Sequence, residues 1–445
     1  MTAENIEDLC ARIGKIPLTH QMGRVIGAKG GCLQVAGLSG RAAVGDQVHL
    51  MSMNAGGEVV DLDQSTLTVL PDAANDGVRI GDPVQMLGAA RIAPDDSWIG
   101  RIIDGDGTPL DGAALRRGPV ERPLRGAPPP AIHRKALGKR LATGLAAFDT
   151  LLPIVRGQRL GLFAGSGVGK SMLLGRFAGG IEADVVVIAL VGERGRELRH
   201  FVEKVLGPER MKKTVLVVAT SDMSPVARRR ALWSAMTVAE HFRDAGQHVL
   251  FLADSVTRFA EAHREIALSV GESASLRGYP PSTAHMIMSL AERAGPGVSG
   301  STGDITAIFT VLVAGSDMEE PIADILRGVL DGHIVLDRQI AERGRYPAID
   351  LLRSVSRSLP DAANSGENGL ISVARKRLGA YDRAELMIQS GLYASGSDPD
   401  IDAAIQVWPA LDKFLSEDAK LGPAKAFDRL ATCLRMPALG AQNQR

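Results

Sequence analysis

The residues best suited to chemistry form a short glycine-rich segment that ends in a lysine and a serine. Residues 164–171 read AGSGVGKS and match the phosphate-binding pattern GxxxxGK[ST], with Ala164 in place of the first glycine. Glycines let backbone N–H groups turn toward phosphate oxygens, Lys170 would reach the terminal phosphates, and Ser171 would offer a hydroxyl to Mg²⁺. We therefore predict a nucleotide-binding site formed by Ala164, Gly165, Ser166, Gly167, Val168, Gly169, Lys170, Ser171 and Met172.

Two carboxylates are candidates for hydrolysis of the bound nucleotide. Asp254 ends the apolar run HVLFLAD, and a carboxylate at a strand end downstream of a phosphate loop typically holds Mg²⁺. An aspartate that only caps the strand is the alternative. Glu193 follows the run DVVVIALVG, where it would face the same sheet edge as Lys170 and polarise the attacking water. Pairing of Glu193 with Arg194 or Arg196 is the alternative to that role.

The elements that must position these groups belong to an α/β core. The phosphate segment lies between the strand-like RLGLF and the helical pattern MLLGRFAGG, which is the context that this motif requires. Continuous apolar runs separated by helical patterns are typical of a buried parallel sheet. These runs are RLGLFAG, DVVVIALVG, TVLVVAT, HVLFLAD and ITAIFTVLVAG. They predict a parallel-sheet core over residues 141–358.

The segments on either side of the core differ from it in pattern. Short β-like runs separated by Gly and Asp turns predict a small antiparallel β-barrel over residues 21–95. Residues 96–140 form a connector that ends in a basic, proline-rich stretch, which we expect to be solvated. A nucleic-acid-binding arm is the alternative for that stretch. Helical periodicity returns after Pro360 and predicts an all-helical domain over residues 359–445.

The N-terminal residues 1–20 carry a short amphipathic stripe. Apolar residues recur at helical spacing before Pro17; they are Ile6, Leu9, Cys10 and Ile13. The stripe predicts a helix that either packs on its own domain or docks a partner. The first residues include acids and lack the apolar core of a signal peptide, which favours a cytoplasmic protein.

The overall composition limits the classes of partner. The chain has 445 residues with 51 Lys+Arg and 51 Asp+Glu, so its net charge is zero, which disfavours a nucleic-acid binder that depends on a positive field. Aromatic residues make up 4% of the chain, too few for platforms that stack single-stranded bases. Three widely separated cysteines fit a reducing compartment. The sequence contains no apolar run of about 18 residues, so we expect no membrane-spanning helix.

Several motifs, in order and spacing, resemble those of the flagellar and type III secretion ATPases, relatives of the catalytic subunit of rotary ATP synthases. They read GLFAGSGVGKS, VGERGRE, HVLFLADSVTRFAEAHREI, RGYPPS, EEPIADILRGVLDGHIVLDR and RYPAIDLLRSVSRS. Rotary catalytic subunits usually have GGAGVGKT at the phosphate loop, whereas AGSGVGKS is the form of the export ATPases. The resemblance covers nearly the whole chain. It implies a RecA-like, F-type P-loop NTPase core that hydrolyses ATP with Mg²⁺.

The resemblance also implies a role for each candidate named above. Lys170 matches the lysine that binds the phosphates, and Ser171 matches the hydroxyl that holds Mg²⁺. Asp254 matches the carboxylate that contacts the metal through water. Glu193 matches the glutamate that activates the attacking water, and Arg194 matches the catalytic arginine beside it.

Three further positions gain a role only from the resemblance. Arg258 matches the arginine of the DxxxR segment that ends a core strand, and Tyr346 occupies the position that stacks on adenine. Arg357 matches the arginine finger that a neighbouring subunit inserts toward the γ-phosphate. From the residues alone, a tyrosine before a proline is a packed turn residue and an arginine in a serine-rich stretch is solvated. Residues 317–321, DMEEP, depart from the more polar DxxxP segment expected for the family.

The resemblance implies a cytoplasmic homohexamer that associates peripherally with the inner-membrane export apparatus. Residues 1–20 would bind a regulatory stator-like protein, and the C-terminal domain would meet a central stalk protein, the export gate and chaperone–substrate complexes. Flagellar export is the leading hypothesis; the ATPase of a virulence-type injectisome is the alternative, because its catalytic residues would be identical. A proton-coupled rotary synthase subunit would need a noncatalytic partner chain, and the balanced charge and few aromatics disfavour an RNA-dependent hexameric helicase.

Overall fold

The computed structural model describes residues 19–313 and 318–437. The chain divides into two compact units. One contains the residues up to Ala90 together with two short pieces, residues 224–226 and 265–273, and the other contains the rest of the chain from Arg91 onward. The docking helix expected over residues 1–20 lies almost entirely outside the described residues. None of the helices that the structure describes has the length and apolar character needed to cross a membrane.

The first unit contains a closed antiparallel barrel of six strands. In spatial order β1-β2-β5-β4-β3-β6, they are β1 (Met22–Lys29), β2 (Cys32–Ala36), β3 (Asp46–Leu50), β4 (Ala55–Leu62), β5 (Thr66–Pro71) and β6 (Pro83–Ala89). Alternate side chains point into the barrel: Leu67 and Val69 of β5 are fully buried, whereas Thr66, Thr68 and Leu70 are half-buried. The predicted antiparallel barrel is confirmed.

The second unit is built on a nine-stranded sheet. Its strands and those of a small separate ribbon are β7 (Arg91–Ile92), β8 (Ile102–Ile103), β9 (Arg122–Pro123), β10 (Arg159–Ala164), β11 (Val185–Glu193), β12 (Thr214–Thr220), β13 (His248–Asp254), β14 (Gly295–Pro296), β15 (Asp304–Leu312), β16 (Gly332–Leu336) and β17 (Ile349–Ser356). The sheet order is β17-β16-β10-β15-β13-β11-β12-β8, β14 pairs with β15, and β7 pairs with β9 in the ribbon. From β16 to β8 all neighbours in this order are parallel.

The predicted parallel core is confirmed, since the five apolar runs form β10, β11, β12, β13 and β15. All seven residues of β13 are buried, as expected for a strand with both faces covered. The structure adds strands that the apolar runs do not reveal. β8 lies within the expected connector yet pairs with β12, and β17 is an antiparallel edge strand whose residues alternate in burial.

Helices connect these strands and follow them at the C-terminal end. They are α1 (Ala146–Asp149), α2 (Lys170–Gly180), α3 (Gly195–His200), α4 (Gly207–Met211), α5 (Pro225–Asp244), α6 (Val256–Ser269), α7 (Ser282–Arg293), α8 (Pro321–Val329), α9 (Arg338–Glu342), α10 (Ser365–Gln389), α11 (Pro399–Phe414) and α12 (Pro423–Cys433). Short 3₁₀ turns occur at Asp96–Trp98, Ala131–His133 and Leu276–Gly278, and a π-helical turn at Phe201–Leu206 follows α3.

The described residues after β17 are helical, as predicted. α10 begins with a capping box in which the Asn364 side chain accepts from the Glu367 N–H and the Glu367 carboxylate accepts from the Asn364 N–H. Arg375 on α10 donates to the carbonyls of Leu351 and Ser354, both at 3.1 Å. These bonds tie the C-terminal helices to the edge strand β17.

Most residues of the basic, proline-rich stretch are exposed, but several of its charged side chains are anchored to the second unit. Its arginines and lysine pair with acids of the second unit in Arg122–Asp244 (2.6 Å), Arg134–Glu292 (3.2 Å), Lys135–Asp304 (2.9 Å) and Arg140–Glu367 (3.0 Å). Leu124 is buried, and the Arg125 guanidinium lies 4.4 Å from the Trp233 ring centroid. Because the paired acids lie far away in the sequence, local composition could not show that these side chains are anchored.

Candidate active site

The phosphate loop joins β10 to α2. β10 ends at Ala164 and α2 begins at Lys170, so the loop lies at the positive end of the helix dipole. Gly167 and Gly169 have φ values of +78° and +89°, a left-handed conformation that strains residues with a side chain. Val168, between them, is buried. Of the predicted binding residues, Val168 can therefore contribute only through its backbone.

Parallel strands bring both predicted carboxylates to the loop. Glu193 ends β11 and Asp254 ends β13, and the carboxyl ends of parallel strands meet at one edge of a sheet. The Lys170 Nζ forms an ion pair with Asp254 and lies 3.5 Å from the Glu193 Oε1. Thr310, on β15 beside β13, donates to the Asp254 Oδ1 at 2.7 Å. Sequence reasoning missed Thr310, because a threonine inside an apolar run carries no signal of its distant partner.

Glu193 is suited to accept a proton near neutral pH. Burial raises its pKa from 4.5 to about 7; the Lys170 charge opposes this rise, and Glu197 and Asp254 add to it. A general base is most effective when its pKa lies near the operating pH. Arg194, the alternative partner of Glu193, instead lies 3.8 Å from Glu197 with 74% of its side chain exposed. The structure therefore does not pair Glu193 with Arg194.

Apart from Val168, Asp254 and Thr310, the groups described above line one cavity of about 1090 Å³. Lys170, Ser171, Met172, Glu193 and Arg194 all lie on its wall, together with the glycines of the phosphate loop. The cavity is of the size used for small-molecule ligands, with charged groups that suit an anion. Its wall also includes groups that the sequence did not single out, namely Ser221, Arg228, Thr257, Glu261, Arg277 and Tyr279.

Arg258 lies beside Glu193 at the cavity wall. Its side chain packs on Gly192, where an added Cβ would come within 2.8 Å of the Arg258 Cγ. Gly192 also has a φ of +74°, so both its conformation and this close approach require glycine. The Arg258 Nη1 donates to the Glu261 Oε2 at 2.8 Å. Arg258 is therefore placed beside the carboxylate that would act on water.

Neither Tyr346 nor Arg357 is among the described residues that line the cavity, but Tyr346 contacts the phosphate loop and Arg357 does not. The Tyr346 ring lies against the phosphate loop: a Cβ added to Gly169 would be 3.1 Å from the Tyr346 Cδ1. Half of Tyr346 is exposed. Arg357 is also exposed, and its Nη2 donates to the Arg327 carbonyl at 3.1 Å. Arg357 is not among the described residues that line the cavity, so one chain does not bring it to Lys170.

The residues present fit a magnesium ion bound together with phosphates. Ser171 is exposed on the cavity wall, and Asp254 lies behind Lys170 with both groups in contact. Among the described residues, no cluster of three or more His, Cys, Asp or Glu side chains is arranged to hold a metal. Mg²⁺ commonly keeps several waters and uses one or two protein oxygens with substrate phosphates. Ser171 and Asp254 would supply those oxygens.

The fold and the site define a P-loop ATPase of the rotary ATP synthase type. Residues 144–356 match the family model described as the ATP synthase alpha/beta family, nucleotide-binding domain. The matched range includes the phosphate loop and both carboxylates. Residues 367–425 match the model of the T3SS EscN ATPase C-terminal domain, which covers most of the C-terminal helices. The chain thus combines a nucleotide-binding core with an export-type C-terminal domain.

Similarity to individual proteins extends over most of the chain. The flagellum-specific ATP synthase of Caulobacter vibrioides is 43% identical over 93% of this chain and 95% of its own length. The SPI-2 type 3 secretion system ATPase of Salmonella typhimurium is 43% identical over 84% of this chain and 86% of its own length. The assembled ATPase EscN of enteropathogenic E. coli is 37% identical, with a TM-score of 0.87 over 93% of this chain and 100% of that chain. The chain belongs to the family of flagellum-specific ATP synthases and type III secretion ATPases.

Proposed function

We propose that this ATPase hydrolyses ATP at the subunit interfaces of a homohexameric ring and that hydrolysis energises the export of flagellar proteins. The position of Arg357 carries the first part: it is exposed outside the cavity that holds Lys170 and Glu193. In a closed ring each subunit's site can receive the arginine of its neighbour. The description of EscN as an assembled ATPase supports an oligomer. At the same 43% identity, the flagellum-specific relative from Caulobacter vibrioides matches 93% of this chain and the SPI-2 ATPase matches 84%, which supports the flagellar role.

In this proposal the residues of one chain bind the nucleotide and activate water. Lys170 would contact the terminal phosphates, and Ser171 with Asp254 would hold Mg²⁺. Bound Mg²⁺ would neutralise charge on the phosphate oxygens. Glu193 would accept the proton of the attacking water as the water oxygen bonds to the γ-phosphorus and ADP leaves.

Other residues would complete the site around this reaction. Tyr346 would stack on adenine, and Met172 would contact the nucleotide from the cavity wall. Arg194 and Arg258 would place positive charge beside Glu193. The Arg357 of a neighbouring copy would stabilise the charge of the transition state, a contribution worth roughly 10³–10⁵ in rate for arginine fingers.

Mixing two inactive variants tests the shared site. Lys170→Ala removes the phosphate lysine, and Arg357→Ala removes the finger, so each ring of one variant should be inactive. In rings assembled from equal amounts of both, about a quarter of the interfaces would join an intact Lys170 to an intact Arg357 by random mixing. We expect activity to return in proportion. A mixture of Lys170→Ala with the double variant is the control and should stay inactive; mixed rings with no activity would refute the shared site.

Gene deletion tests the cellular role. We expect loss of motility and of secreted flagellar proteins, restored by the wild-type chain but not by Glu193→Gln. Retained motility with loss of a different set of secreted proteins would replace the flagellar role with that of an injectisome ATPase. The comparison with the hydrolysis-defective variant separates a need for ATP turnover from a need for the protein alone.

We also propose partners for the two ends of the chain. Residues 1–20 would bind a regulatory stator-like protein, so their deletion should abolish regulator binding and leave hydrolysis intact. EscN is described in complex with its central stalk EscO, and the C-terminal helices here would meet a stalk, the export gate and chaperone–substrate complexes. The protein would be cytoplasmic and peripherally associated with the inner-membrane export apparatus. Fractionation with and without that apparatus tests the location.

A further inference from the structure

Arg345, the residue before Tyr346, is a buried arginine between the nucleotide site and the C-terminal helices. Its side chain is 9% exposed, and its Nε and Nη1 atoms are buried and make no hydrogen bond to the residues that the structure describes. Burying a guanidinium is costly unless its charge is paired, and burial lowers the pKa of Arg345. A buried charge of this kind must be explained by the contacts that it makes.

The side chain of Arg345 spans the turn that carries Tyr346. Its Nη2 donates to the carbonyl of Ile349 at 2.8 Å, and its backbone N–H donates to the carbonyl of Ile340 at 3.4 Å. Within the turn, the Ile349 N–H donates to the Pro347 carbonyl at 2.9 Å. The arginine therefore fixes the spacing between the start of the turn and the first residue of β17.

The counter-ion of Arg345 comes from the C-terminal helices. The Arg345 Nε lies 3.0 Å from the Asp412 Oδ1, and Asp412 belongs to α11. The charge of Asp412 opposes the lowering of the Arg345 pKa. A small cleft of about 70 Å³ beside the pair is lined by Tyr381 and Trp408, whose rings stack with centroids 4.5 Å apart. Movement of α11 would therefore shift Asp412 relative to the Arg345 guanidinium.

A second ion pair links the same loop to the same helices but differs in burial. The Arg343 Nη1 lies 3.2 Å from the Glu385 Oε1 on α10, with side chains 47% and 32% exposed. Exposed pairs contribute little to stability or position. This pair is the matched control for the buried one, because it joins the same two parts of the chain.

We propose that Arg345 and Asp412 are positioning residues that hold the Tyr346 ring in place for the adenine base, so that the C-terminal helices are linked to nucleotide affinity. This inference rests on the adenine role proposed for Tyr346. The ring lies against Gly169 of the phosphate loop, so a shift of the turn would move it away from a base bound there. Lys170 and its carboxylate partners belong to other elements and would keep their positions.

Steady-state kinetics of Asp412→Asn test the proposal. We expect the KM for ATP to rise about tenfold, the scale of one base–aromatic stacking contact, while kcat changes less than about twofold. Inorganic tripolyphosphate has no base, so its inhibition constant should not change. Glu385→Gln, the control, should leave all three values unchanged. Equal weakening of ATP and tripolyphosphate, or a lower kcat at unchanged KM, would overturn the proposal.

A double variant separates failure of this inference from failure of the adenine role. Tyr346→Ala alone should raise the KM for ATP, and an unchanged KM would refute the adenine role. If Tyr346→Ala leaves the KM unchanged but Asp412→Asn raises it, the inference is overturned as well, because the pair would then act on ATP without Tyr346. If the pair acts through Tyr346, Asp412→Asn should add nothing in the Tyr346→Ala background. Additive effects would show a separate action of Asp412. Thermal unfolding monitors folding, and Arg345→Lys, which shortens the reach to Ile349, carries the same test if Asp412→Asn is unstable.

Discussion

Replacing Glu193 by Gln should make the nucleotide-free protein more stable at the pH where it abolishes hydrolysis. Burial raises the Glu193 pKa from 4.5 to about 7, so the folded state disfavours the charged carboxylate. The wild-type chain is therefore free of this cost below about pH 4.5, and the cost grows as the pH rises to about 7, where it becomes constant. Glutamine carries no charge and avoids the cost throughout.

The size of the effect follows from the two pKa values. The difference between 4.5 and about 7, at about 1.4 kcal/mol per pKa unit, corresponds to about 3 kcal/mol. This value is an upper limit, because the Glu193 side chain is 23% exposed and solvent screens part of the charge. We expect the variant to gain up to that amount at pH 8 and close to nothing at pH 4.5. Lys170 keeps its pair with Asp254 in the variant.

The difference in the free energy of unfolding is measured by denaturant unfolding of both proteins without nucleotide. Tryptophan fluorescence reports the unfolding at each of the two pH values. Glu203→Gln is the control, since Glu203 is exposed and pairs with Arg199 at 2.7 Å; it should give no gain at either pH. The Glu193→Gln variant could instead be less stable than wild type at pH 8, or equally stabilised at both pH values. Either result would refute the claim that burial of the Glu193 charge destabilises the folded protein. In that case the carboxylate would not be held in a state poised for proton transfer.

Three further predictions concern the same site. The kcat/KM for ATP should fall as the pH drops through about 7, because protonated Glu193 cannot accept a proton; a flat profile from about pH 6 to 8 would contradict this. Gly169→Ala should lower the unfolding free energy by about 1–2 kcal/mol and weaken ATP binding, since Gly169 has a φ of +89°. Gly195→Ala, where an added Cβ meets no atom within 4 Å, is its control in calorimetry. Thr310→Val should reduce the apparent Mg²⁺ affinity about tenfold in a metal titration of hydrolysis, because it removes the hydrogen bond to Asp254; an unchanged titration would show that Thr310 does not orient the carboxylate.

The parts of the structure that depend on neighbouring residues could be predicted from the sequence. The phosphate loop, the five core strands and the strand-end position of Asp254 all follow from apolar runs and glycine spacing within about ten residues. The catalytic interpretation of Glu193 required one further step, the knowledge that parallel strands end at a common edge. Local pattern and sheet geometry together thus locate the centre of the site.

Features that depend on distant partners could not be predicted in the same way. The short strand β8 is stabilised by β12, more than a hundred residues later, and two apolar residues carry too little pattern to be recognised. The ion pairs of the connector arginines could not be predicted because their acidic partners, such as Asp244 and Glu367, lie in other elements. Arg345 carries no local sign of burial either, since its counter-ion is Asp412. In each case tertiary pairing overrides what composition suggests.

The ion pairs of the nucleotide-free site show what ATP must replace. Lys170 is held by Asp254 and lies near Glu193, which are the groups proposed to contact Mg²⁺ and water. A bound triphosphate offers Lys170 other anionic oxygens, and its metal offers Asp254 another cation, so binding exchanges one set of charge pairs for another and leaves no charge buried alone. Nucleotide binding would therefore free Glu193 from its contact with Lys170 and leave its carboxylate facing the bound phosphates.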